Sequence, residues 1–80
     1  MKIQILGSGC PSCKQLEQNA REAAANLGIE AEFEKVTEID RITEMGVLRT
    51  PGLAFDGRVQ KSGKVLSPAE IEATLKAYQA

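Results

Sequence analysis

The chain has no histidine, no tryptophan and only two cysteines, and its aromatic residues number three: Phe33, Phe55 and Tyr78. A structural zinc site needs four ligands, usually thiolates and imidazoles, so Cys10 and Cys13 alone do not make one. Charge of one sign is also lacking. The formal net charge is -1 and the lysines and arginines are scattered, which removes the electrostatic footprint that nucleic acids and anionic membranes require. Apolar runs extend over a few residues, far short of the roughly 20 that cross a bilayer, and no secretory-signal pattern opens the sequence. The expectation is a cytoplasmic protein with neither nucleic-acid nor membrane partners. In a reducing compartment a permanent disulfide is disfavoured, so a close cysteine pair there is more often catalytic or metal-binding.

What remains is a composition that folds. Eighty residues, 42% hydrophobic and 26% charged, suit one modest core, and residues 1–80 read as a single domain. "KIQIL" at 2–6 alternates and is broken by Gly7-Ser8-Gly9, which predicts a strand entering a loop. From Pro11 to Leu27, Cys13, Leu16, Ala20, Ala23, Ala24 and Leu27 recur at helical spacing, and Gly28 follows as a C-terminal cap. Proline in the first turn costs no hydrogen bond there.

"AEFEKV" at 31–36 predicts a second strand, and one intervening helix makes this a βαβ unit with parallel strands. Ile39, Ile42 and Met45 space a short helix ending near Gly46, with Thr37 and Asp40 as its N-cap signal. "GLAF" at 52–55 leads to Asp56-Gly57, a tight hairpin turn, and "RVQ" and "KVL" around Ser62-Gly63 are read as return-strand material. Ser67, Pro68 and Glu70 stand in capping-box order before a helix whose inner face is Ile71, Leu75 and Tyr78. The acidic stretch from Glu30 to Glu44 is read as a solvated face. The predicted order is β-α-β-α-β-β-α: an α/β fold with a four-stranded mixed sheet and helices on both faces.

Cys10 falls at the N-cap of the first helix and Cys13 in its first turn. Exposed amides and the positive end of the helix dipole stabilise a thiolate there, and in Cys-x-x-Cys motifs the pKa drops from about 8.5 to roughly 3.5–7.5. In this reading Cys10 attacks a partner disulfide and Cys13 resolves the mixed disulfide. Two thiolates also suit monovalent copper. That alternative stays open: the segment resembles small heavy-metal-associated domains, which likewise place Cys-x-x-Cys between a first strand and a first helix. Their βαββαβ order differs from the one read here, and Gly7-Ser8-Gly9 replaces their usual preceding methionine.

Two features together, "CPSC" after the first strand and Thr50-Pro51 before the third, resemble the thioredoxin-fold redox proteins. The short length is similar to the small thioredoxin- and glutaredoxin-like proteins called redox-active disulfide protein 2. The resemblance implies a minimal thioredoxin-like fold in which Pro51 is cis beside the redox pair and Thr50 presents its backbone to an extended substrate. It implies protein disulfides as substrates and a thioredoxin-reductase-type electron donor; sulfur exchange alone requires no cofactor, and with few exposed-edge cues a monomer is expected. Pro11 and Ser12, inside the motif, would tune the redox potential. Gly9 stands where thioredoxins have tryptophan, and no glutathione-binding turn is found downstream. Lys14 and Arg49 are read as solvated charges near the site, and Met45 as core.

Overall fold

The structure is a computed structural model and describes residues 1–7 and 11–79. Its elements run β1 (Lys2–Leu6), α1 (Pro11–Leu27), β2 (Glu32–Val36), α2 (Ile39–Glu44), β3 (Gly52–Phe55), β4 (Arg58–Ser62) and α3 (Pro68–Gln79). The predicted order is the observed one. Four strands form one sheet in the order β2-β1-β3-β4, with β1 and β2 parallel and both other pairs antiparallel. The two outer strands carry most of the sheet's charge: Glu32, Glu34 and Lys35 on β2, Arg58 and Lys61 on β4. On β4 the register slips at Gln60, because Leu53 pairs with Lys61 and the next residue, Ala54, with Val59.

Alternation along β1 divides the core. Ile3 and Ile5 face α1 and α3, where they join Leu16, Ala20, Ala23, Leu53, Phe55, Ile71 and Leu75. Leu6 faces the other way, toward Val36, Ile42, Val47 and Ala54, under α2. Helices thus cover both faces. Buried small side chains on α1, three of them alanines, let it lie close to α3. Gln4 shares the α2 face and is the buried polar residue of the sheet. Its amide donates to Glu34 Oε1 at 2.7 Å and its Oε1 accepts from the Gly57 amide at 2.8 Å, so the desolvated group is satisfied at both ends.

Helix ends follow their signals. Gly28 has φ +67°, and the amides of Gly28 and Ile29 donate to the carbonyls of Ala25 and Ala24 to close α1. Ser67 and Glu70 bond reciprocally, side chain to backbone, at 3.2 Å each. Asp56 and Gly57 turn the hairpin with φ +51° and +82°.

Three details depart from expectation. The residue capping α2 is Glu38, with no side-chain cap bond, so Thr37 does not serve there. Residues three apart on a helix drift by about 60°. Along Ile39, Ile42 and Met45 only Ile42 is therefore buried squarely; Met45 packs at the margin of its cluster and Ile39 stands out at 73% exposure. "KVL" is not strand: β4 ends at Ser62, and Val65 and Leu66 reach the core from a loop, where Asn19 Nδ2 donates to the Leu66 carbonyl at 2.9 Å.

Candidate functional site

The site forms where β1 runs out. β1 ends at Leu6, Gly7 is held by its amide donating to the Val36 carbonyl at 2.9 Å, and α1 begins at Pro11. Cys10, with Ser8 and Gly9, lies outside the described residues. Pro11 and Ser12 are exposed in the first turn of α1, whereas Cys13 turns inward and is 5% exposed. Helical geometry decides this: Leu16 and Ala20, on the same stripe, are fully buried, and Cys13 is that stripe's first member.

A cavity of about 40 Å³ opens beside the thiol, lined by Ile5, Gly7, Cys13, Lys14, Glu17, Lys35 and Thr37. It admits a few waters at most and is no small-molecule pocket. Glu17 follows Cys13 by one helical turn. Lys35 arrives from β2, which places it 3.2 Å from Glu17, and Arg21 meets the same carboxylate at 3.0 Å. Burial pushes the Glu17 carboxyl up, but the hydrogen bonds from Arg21 and Lys35 outweigh it and hold the group below its ordinary value. The carboxylate is thus anionic at neutral pH. It was not legible as a site residue, although its i+4 spacing from Cys13 on a helix was a signal; Lys35 needs the strand register to be placed.

Thr50-Pro51 comes to the same end of the sheet. The Thr50–Pro51 peptide bond is cis, Pro51 is buried and Thr50 is exposed. Gly7 is close to both motif segments: a Cβ built on it would overlap Cys13 Sγ and stand 3.7 Å from Thr50 Cβ. Thr50 also borders an open groove of about 260 Å³ with Ile39, Ile42, Thr43, Val47 and Leu48. Leu48 is 88% exposed. Lys14 reaches the cavity, while Arg49 packs its side chain across Gly63 and lines neither hollow. Among the described residues no cluster of three or more acidic, cysteine or histidine side chains is arranged to hold a metal, and no helix is long and apolar enough to cross a membrane.

Comparison with known proteins fits this geometry. The family described as "Thioredoxin domain" matches residues 1–76. The chain belongs to the thioredoxin family. It is 55% identical over 75 residues to a protein named thioredoxin from Methanothermobacter thermautotrophicus, covering 94% of this chain and 97% of that one. It is 46% identical over 76 residues to a thioredoxin from Methanocaldococcus jannaschii, covering 95% of this chain and 87% of the relative. As a thioredoxin-family protein it is a thiol-disulfide oxidoreductase, and the mixed sheet flanked by three helices is the family's fold.

Proposed function

We propose that residues 1–80 form one domain that exchanges electrons with protein disulfides through Cys10 and Cys13, with Thr50 and Pro51 shaping the substrate side of the site. The observation that carries this reading is the convergence at Gly7 of a buried first-turn cysteine with the Thr50-Pro51 segment, 37 residues further along the chain. Cys10 Sγ, as thiolate, attacks one sulfur of the partner disulfide; a mixed disulfide forms and the partner's other sulfur leaves as thiolate. Cys13 Sγ gives up its proton and attacks Cys10 Sγ. The Cys10–partner bond breaks as the Cys10–Cys13 bond forms, and the second partner sulfur leaves. Two electrons have passed to the partner, and a thioredoxin-reductase-type protein returns them by the reverse exchange.

Buried Cys13 suits the resolving role, because a partner protein is too large to enter the 40 Å³ cavity beside its sulfur. Pro11 and Ser12, exposed between the cysteines, set the potential of the pair. Catalysis by sulfur exchange needs no cofactor, and the protein works as a cytoplasmic monomer. The test is trapping: Cys13→Ser accumulates covalent adducts with a disulfide-bearing partner and Cys10→Ser does not. Insulin reduction by the wild type, run beside a monovalent-copper titration of the reduced protein, sets this reading against the soft-metal alternative. Tight stoichiometric copper binding without insulin reduction would transfer the two thiols to metal handling.

A further inference from the structure

Gly7 is buried at the end of β1, and its backbone does not explain why it is glycine. It is not among the positive-φ glycines, so its conformation is open to L-residues. The bond its amide donates to the Val36 carbonyl is available to any residue but proline. Space explains it instead. A Cβ at position 7 would overlap Cys13 Sγ, lie 3.2 Å from Cys13 Cβ and touch Thr50 Cβ at 3.7 Å. The cysteine sulfur therefore occupies volume that a methyl group would fill.

We infer that Gly7 is a positioning residue for the Cys13 thiol: by presenting bare backbone it seats Sγ against the end of β1, within reach of Thr50. This rests on the exchange reading above and deepens it. In the resolving step the Cys13 thiolate must approach Cys10 Sγ in line with the bond to the partner, which breaks as the partner sulfur departs and takes a proton from water. A misplacement of about 1 Å slows such a step about 100-fold. A methyl on residue 7 displaces the sulfur, and the space left to it is the cavity bounded by Lys14, Glu17, Lys35 and Thr37.

The deciding experiment compares Gly7→Ala with the parent in a Cys10→Ser background, where Cys13 is the sole thiol. Alkylation of the folded protein by iodoacetamide at fixed pH is expected to quicken at least tenfold, because the sulfur leaves its buried seat. An unchanged rate with an unchanged circular-dichroism spectrum overturns the inference. Should Gly7→Ala fold poorly, the same pair is made with Cys13→Ala: removing Sγ is expected to recover at least half of the Tm lost to Gly7→Ala. Equal losses in both backgrounds overturn the inference as well. With both cysteines present, release of 5-thio-2-nitrobenzoate from a mixed disulfide on Cys10 is expected to slow at least tenfold in Gly7→Ala. If the wild type itself fails to release that adduct, the exchange reading falls, while the alkylation and Tm comparisons still decide whether Gly7 seats the thiol.

Discussion

Replacing Gln4 tests how a buried polar residue is accommodated in the sheet. The side chain is 6% exposed and makes two hydrogen bonds, to Glu34 Oε1 and from the Gly57 amide. Each contributes about 1 kcal/mol net, so Gln4→Leu forfeits about 2 kcal/mol. Leucine at the same place returns about 1.5–3 kcal/mol through burial against the Leu6, Val36 and Ala54 face. Gly57 is exposed, so water satisfies its amide, and Glu34 keeps Arg41 at 3.3 Å. The net change for Gln4→Leu is therefore within about 1 kcal/mol. Gln4→Ala loses the bonds, gains little burial and leaves a void, at a cost of about 2–4 kcal/mol. For a domain of this size that lowers Tm by roughly 10–25 °C. Urea denaturation and thermal melts of both variants at pH 7 measure the contrast. The hydrogen bond from Gln4 is also the foremost cause of Glu34's lowered carboxyl pKa, so in Gln4→Leu that pKa, followed by NMR, rises toward the ordinary 4.5. Equal destabilisation by Leu and Ala, or an unmoved Glu34 titration, would refute the argument.

Other outcomes follow from single contacts. Ser67→Ala removes one half of the α3 capping box and costs about 1 kcal/mol in urea denaturation. Leu16→Ala empties the layer beneath Cys13 and costs about 2–5 kcal/mol, read as a fall in Tm. The carboxyls of Glu17, Glu34, Asp56 and Glu70 all lie below their ordinary values in the folded protein. A depressed folded pKa gives stability that is present above the unfolded value and lost as pH falls through the folded one. The urea midpoint should therefore hold at neutral pH and decline once pH drops below about 4.5, the ordinary glutamate value. Tyr78 donates to Asp56 Oδ2 at 3.0 Å, and that bond raises the phenol above its ordinary 10. In Asp56→Asn, ultraviolet titration should show the phenol ionising at a lower pH than in the wild type.

The fold was legible because its signals are local. Alternation in "KIQIL", the apolar stripe from Cys13 to Leu27, the Asp56-Gly57 turn and the Ser67–Glu70 box each depend on neighbours within a few residues. "KVL" misled because alternation describes any extended segment with one buried side; whether it becomes strand depends on a partner, and none pairs there. Thr37 misled because a hydroxyl near a helix start has other uses, here lining the cavity. The acidic run from Glu30 to Glu44 is exposed as read, with Glu34 partly covered where it meets Gln4 and Arg41. At the site, the pattern exposed Cys13, Thr50 and Pro51, yet not Gly7, Glu17 or Lys35. Their parts arise from tertiary proximity: Ile5 and Lys35 become neighbours only through the β1–β2 register, and the reason for glycine at 7 is a sulfur six residues away.

The rims of the sheet bear on how this protein meets other chains. An uncovered strand edge offers unpaired amides and carbonyls, and any extended polypeptide can add to it. Here one rim holds Glu32, Glu34 and Lys35 within five residues, and the other holds Arg58 and Lys61 with an irregularity at Gln60 that interrupts a regular ladder. An incoming apolar strand would have to pack against charge on one side and find a broken hydrogen-bond rhythm on the other. Both rims of the sheet are thereby poor templates for the addition of an apolar strand, which sets them apart from the end of the sheet where Cys13 and Thr50 come together.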